Sequence, residues 1–451
     1  MQRHEEYVLN TVEERKVRLV RLWFPDVHGQ LKSFALPSTE LETALSEGMH
    51  FDGSSIDGFS RIQESDVIAR PDASSFEVLP WSDPDERAAA MVCNIENPDG
   101  TPFAGDSRNV LRRRLQDIRT EGYQFMVAPE MEYFIFESAD PTGSPIPIDQ
   151  GGYFDLTTAD AGSDVRRQTL ATLEMMGIPV EYSFHEDAPS QHEIDLRYNN
   201  ALSMADDVMM FRLLVREIAQ ESGAHATFMP KPLPDVQGSG MHTHMSLWKG
   251  DDNAFYDPDA EYQLSAIGRH FIAGILAHAR PLTAVTNQLV NSYKRFVVGT
   301  EAPAHVSWAR NNRSALIRVP LTRSTRSDEG AQLGSSTRIE YRAPDPACNP
   351  YLAFAVMLAA GMDGVERELE LAPEVEGDLF SLSTDELAAQ GVIELPRSLG
   401  EALEELETSD LLRAALGEHI FEWFLRNKRA EWDAYRMQVT PFELARYLPV
   451  W

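Results

Sequence analysis

The segment FMVAPEMEYFIF, residues 125–136, is rich in the branched and aromatic residues that favour β-strands, yet it carries two acidic residues at its centre. Successive side chains of a strand point to opposite faces. Glu130 and Glu132 therefore share one face, while Met131 and Tyr133 occupy the other. A surface strand with a solvated outer face gives the same pattern, so this segment alone predicts a strand with a carboxylate-bearing face and leaves its purpose open.

Two further segments, MHTHMSL and TRIEYR, repeat this arrangement with other charges. The residues that share a polar face in these two predicted strands are His242, His244, Arg338, Glu340 and Arg342. Solvated strand faces are usually built from Lys, Ser and Thr, whereas Glu, His and Arg are ligands for metals and anions. Three such strands in one chain, with apolar residues between the charges, therefore predict a site rather than three surface strands.

Glu186 and Glu193 add two carboxylates in the segment HEDAPSQHEID. If all these groups converge, the site holds five glutamates and one or two histidines. A set dominated by carboxylates and free of cysteine suits Mg²⁺ or Mn²⁺ rather than zinc. Divalent metal together with arginine implies phosphate chemistry, and the candidate arginines are Arg295, Arg313, Arg318, Arg338 and Arg342. No Walker-type loop is present, so any ATP would have to be held in another way.

The charge and composition of the chain argue against several classes of protein. The formal net charge is −31 and the isoelectric point about 4.7, which argues against binding to nucleic acid or to anionic membranes. Cys93 and Cys348 lie in apolar segments, so we expect two reduced core thiols and no disulfide or zinc site. The N-terminus lacks the apolar core of a signal peptide, and the longest apolar run, Tyr351–Met362, is too short to cross a bilayer. A cytoplasmic location is expected.

The distribution of turn-forming residues predicts two domains, residues 1–104 and 105–451. The first reads as a small α/β unit, and the breaker-rich segment NPDGTP ends it. In the second, strands alternate with long helices, and residues 324–336 have the composition of a loop. The predicted helices are Val165–Met176, Ala205–Ser222, Leu264–Ala279, Pro350–Glu370, Leu399–Leu406 and Leu411–Tyr435.

Several short motifs occur in an order that resembles the type I glutamine synthetase family. They are FDGSSI from Phe51, GSGMHTHMS from Gly238, NSYKR from Asn291, RIEYR from Arg338 and PDPACNPYL from Pro344. The resemblance covers essentially the whole chain. It implies an α+β fold, with a small N-terminal β-grasp domain and a large catalytic domain whose curved antiparallel sheet is surrounded by helices. It also implies a dodecamer of two stacked hexameric rings, with each site built between neighbouring subunits.

The resemblance also implies roles for the metal and nucleotide ligands, with ATP as a substrate and two or three Mg²⁺ or Mn²⁺ ions per site. One ion is expected on Glu132, Glu186 and Glu193, and a second on Glu130, His242 and Glu340. His244, Ser246 and Arg338 are expected to bind ATP, and Arg313 and Arg318 to clamp the transferring phosphate.

The remaining implied roles concern glutamate and the amine. Gly238, Arg295 and Arg342 are expected to hold glutamate. Asp52 and Ser55 of the adjacent subunit are expected to line an ammonium pocket with Tyr153 and Glu186, where Asp52 acts as the base. Glu301 is expected on a flap that excludes water from γ-glutamyl phosphate, the intermediate that ammonia attacks to give glutamine.

Departures from the family pattern leave the amine open. Phe184 stands where a histidine is usual, and Asp187 adds an acid beside Glu186. The chain also resembles the accessory members found in actinobacteria, and Phe380 lies where adenylylated members carry a tyrosine. The leading hypothesis is glutamate–ammonia ligation. The alternatives are a γ-glutamylamine or γ-glutamylpolyamine synthetase, and a ring-forming protein without catalysis that senses glutamine.

Overall fold

The computed structural model describes residues 3–56, 58, 66–82, 85–140, 142–156, 161–297, 302–312, 314–320, 336–375, 386–387 and 391–451. Three residues singled out from the sequence, Glu301, Arg313 and Phe380, lie outside these ranges. The predicted loop 324–336 lies outside them as well, apart from Ser336.

The first hundred residues form a mixed sheet in the order β2-β1-β6-β4-β3, with β5 beside β6. Strands β1 and β6 are parallel, and the other neighbours pair antiparallel. Helices α1 (Arg3–Glu14) and α2 (Leu41–Glu47) share a hydrophobic core with Val20, Leu22 and Phe24 of β1. The strands are β1 Leu19–Pro25, β2 Leu31–Pro37, β3 Met49–Asp52, β4 Asp66–Pro71, β5 Glu77–Val78 and β6 Ala88–Glu96.

The turn between β1 and β2 joins this sheet to the rest of the molecule. Both His28 N and Gln30 N donate to Oδ1 of Asp26 at 2.9 Å, which closes the turn. Gly29 has a φ of +74°, and a Cβ there would lie 2.7 Å from Cα of Asn349. Glycine is therefore required both by conformation and by close packing. Asn349 in turn donates to the Asp26 carbonyl at 3.2 Å.

The larger sheet runs β15-β16-β17-β12-β7-β9-β8, with β10 and β11 paired to the long β7 and β13 paired to β12. All its pairs are antiparallel except β15 with β16. The strands of the second part of the chain are β7 Tyr123–Phe136, β8 Val180–His185, β9 Gln191–Leu196, β10 Asn199–Asn200, β11 His225–Thr227, β12 Thr243–Lys249, β13 Asp252–Asn253, β14 His305–Val306, β15 Trp308–Ala309, β16 Ile317–Arg318, β17 Ile339–Tyr341 and β18 Ile393–Glu394. The predicted α+β class is confirmed.

Helices surround this sheet, and α6 (Ala266–Ala277) and α8 (Pro350–Glu366) form a buried pair. They touch backbone to backbone, since a Cβ on Gly364 would lie 2.1 Å from the carbonyl oxygen of His270. The helices are α3 Ser107–Thr120, α4 Ser163–Met175, α5 Ala201–Glu221, α6 Ala266–Ala277, α7 Ala279–Thr286, α8 Pro350–Glu366, α9 Leu399–Glu407, α10 Asp410–Leu416, α11 Glu418–Arg436 and α12 Pro441–Tyr447.

The predicted helices are present, but α5 begins four residues before its predicted start, α8 ends four residues before its predicted end, and two further segments are each divided. Leu264–Ala279 ends early, and the chain continues as the separate helix α7. Pro281 lies in the first turn of α7, and a proline has no N–H to continue the preceding helix. Leu411–Tyr435 is likewise divided, at Gly417, whose φ is +81°. The domain division at residue 104 stays a prediction.

Two composition-based predictions concern the environment of the chain. Both cysteines are buried and free, as predicted. In the part of the chain that the structure describes, no helix is sufficiently long and apolar to cross a bilayer.

Candidate active site

Strand pairing brings the charged faces predicted from the sequence together on one side of the larger sheet. Glu130 of β7 is paired with Asp195 of β9, and Glu132 with Glu193. The strand β12 neighbours β7 on the edge opposite β9. His244 of β12 is paired with Glu340 of β17, and Arg318 of β16 is paired with Glu340 from the next strand. His242 precedes the first residue of β12 rather than lying within it, but its carbonyl accepts a hydrogen bond from Glu130 N at 2.9 Å. The predicted convergence is observed.

Glu130 is hydrogen-bonded to both histidines of the site. Its Oε2 lies 2.9 Å from Nδ1 of His242, and its Oε1 lies 2.8 Å from Nε2 of His244. Arg338 donates from Nε to Nδ1 of His244 at 3.2 Å, so Nε2 of that ring carries the proton that faces Glu130. Burial alone raises the pKa of Glu130, but the bonds from His242 and His244 outweigh it and hold the pKa well below its usual range.

Glu340 is almost completely buried between two guanidinium groups. Nη1 of Arg342 lies 2.9 Å from its Oε1, and Nη1 of Arg318 lies 2.9 Å from its Oε2. Nδ1 of His242 is 3.7 Å from the same Oε1. Burial raises the pKa of Glu340. The charges of Arg342 and His244 lower it by more, so the pKa lies below its usual value and the carboxylate stays ionised. An ionised acid beside two arginines and a histidine can share a cation with Glu130.

On the β9 side the carboxylates face one another with less compensation. Burial and the neighbouring Glu186 raise the pKa of Glu132 to about 8, while burial and Glu130 raise the pKa of Asp195 to about 7. The pKa of Glu193 lies well above its usual range because of burial and Glu132. A bound cation relieves such crowding, so this oxygen-rich set fits a divalent ion of the Mg²⁺ or Mn²⁺ type.

Two glycines of the GSGMH motif allow the chain to pass close to these groups. A Cβ on Gly238 would lie 2.2 Å from the carbonyl oxygen of Pro230. A Cβ on Gly240 would lie 2.5 Å from Nη2 of Arg295, 2.9 Å from Nε2 of His242 and 3.0 Å from Oε1 of Glu132. Arg295 is itself buried and donates to the carbonyls of Ala343 and Arg342 at 2.7 and 3.1 Å. Any side chain at position 240 would therefore disturb three predicted site residues at once.

Two cavities open from this charged face and meet at Glu130, Tyr182 and Arg318, which line both. The larger has a volume of about 650 Å³, and His244, Ser246 and Arg338 lie in its wall. The smaller, of about 270 Å³, holds the rest of the predicted metal and substrate residues that the structure brings together: Glu132, Tyr153, Glu186, Glu193, Gly238, His242, Arg295, Glu340 and Arg342. Such a junction can hold two substrates so that their reacting groups meet beside cations.

Asp52 and Ser55 are not part of either cavity wall as the structure describes it. Asp52 ends β3, the edge strand of the N-terminal sheet, and its Oδ1 accepts a hydrogen bond from Ser54 N at 2.8 Å. The pair was expected to serve the site of an adjacent subunit, and their position in a single chain leaves that expectation a prediction.

Sequence reasoning missed five residues in or beside the cavity walls. Asp195 has the same i, i+2 spacing from Glu193 that identified Glu130 and Glu132, and that signal could have found it. Gln191 donates to Oε2 of Glu132, and Tyr182 lines both cavities. Tyr198 and Trp248, whose ring centroids are 6.4 Å apart, stack on the wall of the larger cavity. They have no sequence signal, because Tyr198 lies between β9 and β10, Trp248 lies in β12, and only the fold brings these segments together.

Comparison with known proteins agrees with this geometry. The family model described as "Glutamine synthetase, catalytic domain" matches residues 104–447, and that described as "Glutamine synthetase, beta-Grasp domain" matches residues 16–98. A glutamine synthetase of Mycolicibacterium smegmatis is 54% identical over 99% of this chain and 100% of its own length. One from Methanosarcina mazei is 46% identical over 98% of this chain and 97% of its own length.

Solved structures give the same result at lower identity. A structure described as "GmaS/ADP complex-Conformation 1" has a TM-score of 0.87 and 30% identity, and it covers 98% of this chain and 99% of its own. A second, "Apo GmaS without ligand", has a TM-score of 0.85 and 29% identity with the same coverage. The two family models together match residues 16–98 and 104–447, which is most of the chain. The chain belongs to the type I glutamine synthetase family.

Proposed function

We propose that this protein joins ammonia to the γ-carboxylate of L-glutamate at the expense of ATP, which phosphorylates that carboxylate to γ-glutamyl phosphate, so that the products are glutamine, ADP and phosphate. The observation that carries the proposal is the meeting of two cavities at Glu130 and Arg318, with buried carboxylates and arginines around the junction. The full-length relatives named glutamine synthetase support it, and they do not favour a larger amine as the acceptor.

Two groups of residues would hold divalent cations. Glu132, Glu186 and Glu193 form one group, and Glu130, His242 and Glu340 form the other. The atoms of the second group lie within 4.8 Å of one another, which supports their assignment to a single ion. When bound, such ions neutralise phosphate charge and polarise the bond to be broken. The choice between Mg²⁺ and Mn²⁺, and the presence of a third ion, remain predictions.

ATP would occupy the larger cavity. His244, Ser246 and Arg338 lie in its wall, and the stacked rings of Tyr198 and Trp248 offer a flat apolar surface to a purine. Arg318 lines both cavities, so it would meet the phosphate as it is transferred, together with Arg313.

Glutamate would occupy the smaller cavity, held by Gly238, Arg295 and Arg342. Its γ-carboxylate is a poor acyl donor, so phosphorylation must precede attack by the amine. Arg342 and Arg318 flank Glu340 at 2.9 Å and remain close enough to neutralise the charge that develops at the junction. Glu301 would close this cavity against water.

The amine would be held by Tyr153 and Glu186 with Asp52 and Ser55 of a neighbouring copy, and Asp52 would take the proton of ammonium. This assignment requires an oligomer, and a dodecamer of two stacked hexamers is our proposal. The apolar side chains of α12, including Phe442 and Leu444, are exposed in the single chain and support assembly with further copies. A cytoplasmic location remains a prediction.

The proposal is tested by supplying glutamate and ATP with each candidate amine in turn. Specificity constants for ammonium, ethanolamine and putrescine are compared, with glutamine or the γ-glutamylamine identified by mass. We expect ammonium to be preferred and activity to disappear with a chelator. A preference for putrescine would show that the acceptor is a polyamine rather than ammonia. Full activity without divalent metal would refute the assigned cation ligands.

A further inference from the structure

Gln191 is a completely buried glutamine at the start of β9. It contacts residues that line the smaller cavity without lining that cavity itself. Its Nε2 donates to Oε2 of Glu132 at 2.9 Å and to the carbonyl oxygen of Gly238 at 3.2 Å. Its Oε1 accepts a hydrogen bond from Ala188 N at 3.3 Å. The amide is thereby fixed in one orientation, since turning it over would direct its oxygen at a carboxylate and a carbonyl.

These contacts determine how Glu132 faces the cavity. Oε2 of Glu132 accepts from both Gln191 and Gly240 N, each at 2.9 Å, and is fully engaged by protein donors. Oε1 is the atom that points toward His242, 3.9 Å from its Nε2. The donors on Oε2 therefore select which oxygen of Glu132 is offered to a cation and restrict rotation of the carboxylate.

The same residue also connects the other parts of the smaller cavity. Its main-chain oxygen accepts from Glu186 N at 2.8 Å, so the strand that carries the amide also holds Glu186. Through its second N–H it fixes Gly238, where an added Cβ would lie 3.3 Å from Cγ of Arg295. One buried side chain thus links a cation ligand with the glutamate-binding segment.

We propose that Gln191 is a positioning residue that orients Glu132 toward the divalent cation and fixes Gly238 for glutamate. The inference rests on the proposed function in taking Glu132 as a cation ligand. Partners that hold metal ligands in place commonly change metal affinity about 10- to 100-fold when removed. Loss of the Gln191 amide should therefore weaken cation binding and raise KM for glutamate. KM for ATP should stay nearly unchanged, because Glu132 and Gly238, the partners of the amide, line the smaller cavity and not the larger one.

The test is Mn²⁺ titration of the full-length protein by electron paramagnetic resonance, which needs no turnover, together with steady-state kinetics. Gln191→Met keeps the length of the side chain and removes both N–H donors. Gln288→Met is the matched control, because Gln288 is also buried and its Nε2 donates to two carbonyls, of His28 and Ala347, at 2.8 Å. We expect Mn²⁺ affinity to fall at least tenfold in Gln191→Met and to be unchanged in Gln288→Met.

A second variant keeps the inference testable if Gln191→Met fails to fold. Gln191→Glu has the shape of the original side chain but adds a carboxylate, which would strengthen cation binding if charge alone mattered. We expect weaker Mn²⁺ binding, because the donors to Glu132 and Gly238 are lost. Mn²⁺ affinity equal to or above that of the wild type in either variant would overturn the inference. If Mn²⁺ binding weakens in the Gln191 variants as expected but the wild-type protein forms no glutamine, only the proposed function is refuted.

Discussion

Replacement of Gly240 by alanine tests whether the three residues around it act together. The added Cβ would lie 2.5 Å from Nη2 of Arg295, which must retreat by about 0.9 Å to reach the 3.4 Å of ordinary contact, and His242 must retreat by about 0.5 Å. Arg295 cannot swing aside without breaking its hydrogen bonds to Ala343 and Arg342. Because a misplacement of about 1 Å in an active site can lower the rate about a hundredfold, we expect a loss of that order in kcat/KM for glutamate.

The assay is phosphate release with glutamate, ATP and ammonium, with thermal unfolding measured in parallel. A hundredfold loss corresponds to about 2.7 kcal/mol of transition-state stabilisation. Gly143→Ala is the matched control: a Cβ there meets no atom within 4 Å, and we expect unchanged activity. If Gly240→Ala folds and retains the wild-type kcat/KM, Arg295 and His242 do not act where we assign them.

Three further predictions concern other parts of the molecule. Glu340→Ala should abolish phosphoryl transfer and weaken Mn²⁺ binding, because a ligand shared with two arginines is lost; normal turnover would reduce Glu340 to a polar strand residue. Asp52→Ala should slow amide formation about a hundredfold and spare Mn²⁺ and nucleotide binding, and equal loss of nucleotide binding would contradict a role as base. Burial and Asp207 raise the pKa of Glu77 from 4.5 to about 7. The folded protein thus loses stability as pH rises from 4.5 through 7, and Glu77→Gln should exceed the wild type by roughly 1–2 kcal/mol at pH 8; identical pH profiles in denaturant unfolding would refute this.

The charged strands could be predicted because strand geometry is periodic. Glu130 and Glu132 had to share a face once this segment formed a strand. His242 lies just before β12, so its position beside Glu130 depends on the fold as well as on its spacing from His244. Which strands would be neighbours could not be predicted from periodicity. The position of β7 between β12 and β9 came only with the fold, and the resemblance to a known family was needed to expect it.

Residues that act through backbone contacts were beyond the sequence pattern. Gln191 gives no signal, because a glutamine in a strand as polar as QHEIDL looks like an ordinary polar residue until its amide is seen 2.9 Å from Glu132. Asp195 differs, since its spacing from Glu193 was visible and was passed over. The helix boundary at Ala277 was also readable, because Pro281 marks it.

The position of Asp52 illustrates a third limit. Its motif indicated a functional turn, but a role between subunits depends on an assembly that one chain does not contain. The edge strand β3 leaves Asp52 away from the cavities of its own chain, and only an experiment on the assembled protein can assign it.

The central claim is that the γ-carboxylate of glutamate is phosphorylated by ATP before ammonia attacks. It is tested most directly with glutamate labelled with ¹⁸O in the γ-carboxylate and with ¹⁵N-ammonium, followed by mass analysis of the products. The account predicts that one ¹⁸O atom is transferred to each phosphate released and that each glutamine carries ¹⁵N in its amide. Phosphate without ¹⁸O, with ADP formed at the same rate, would show that ATP is hydrolysed by water and would contradict the account.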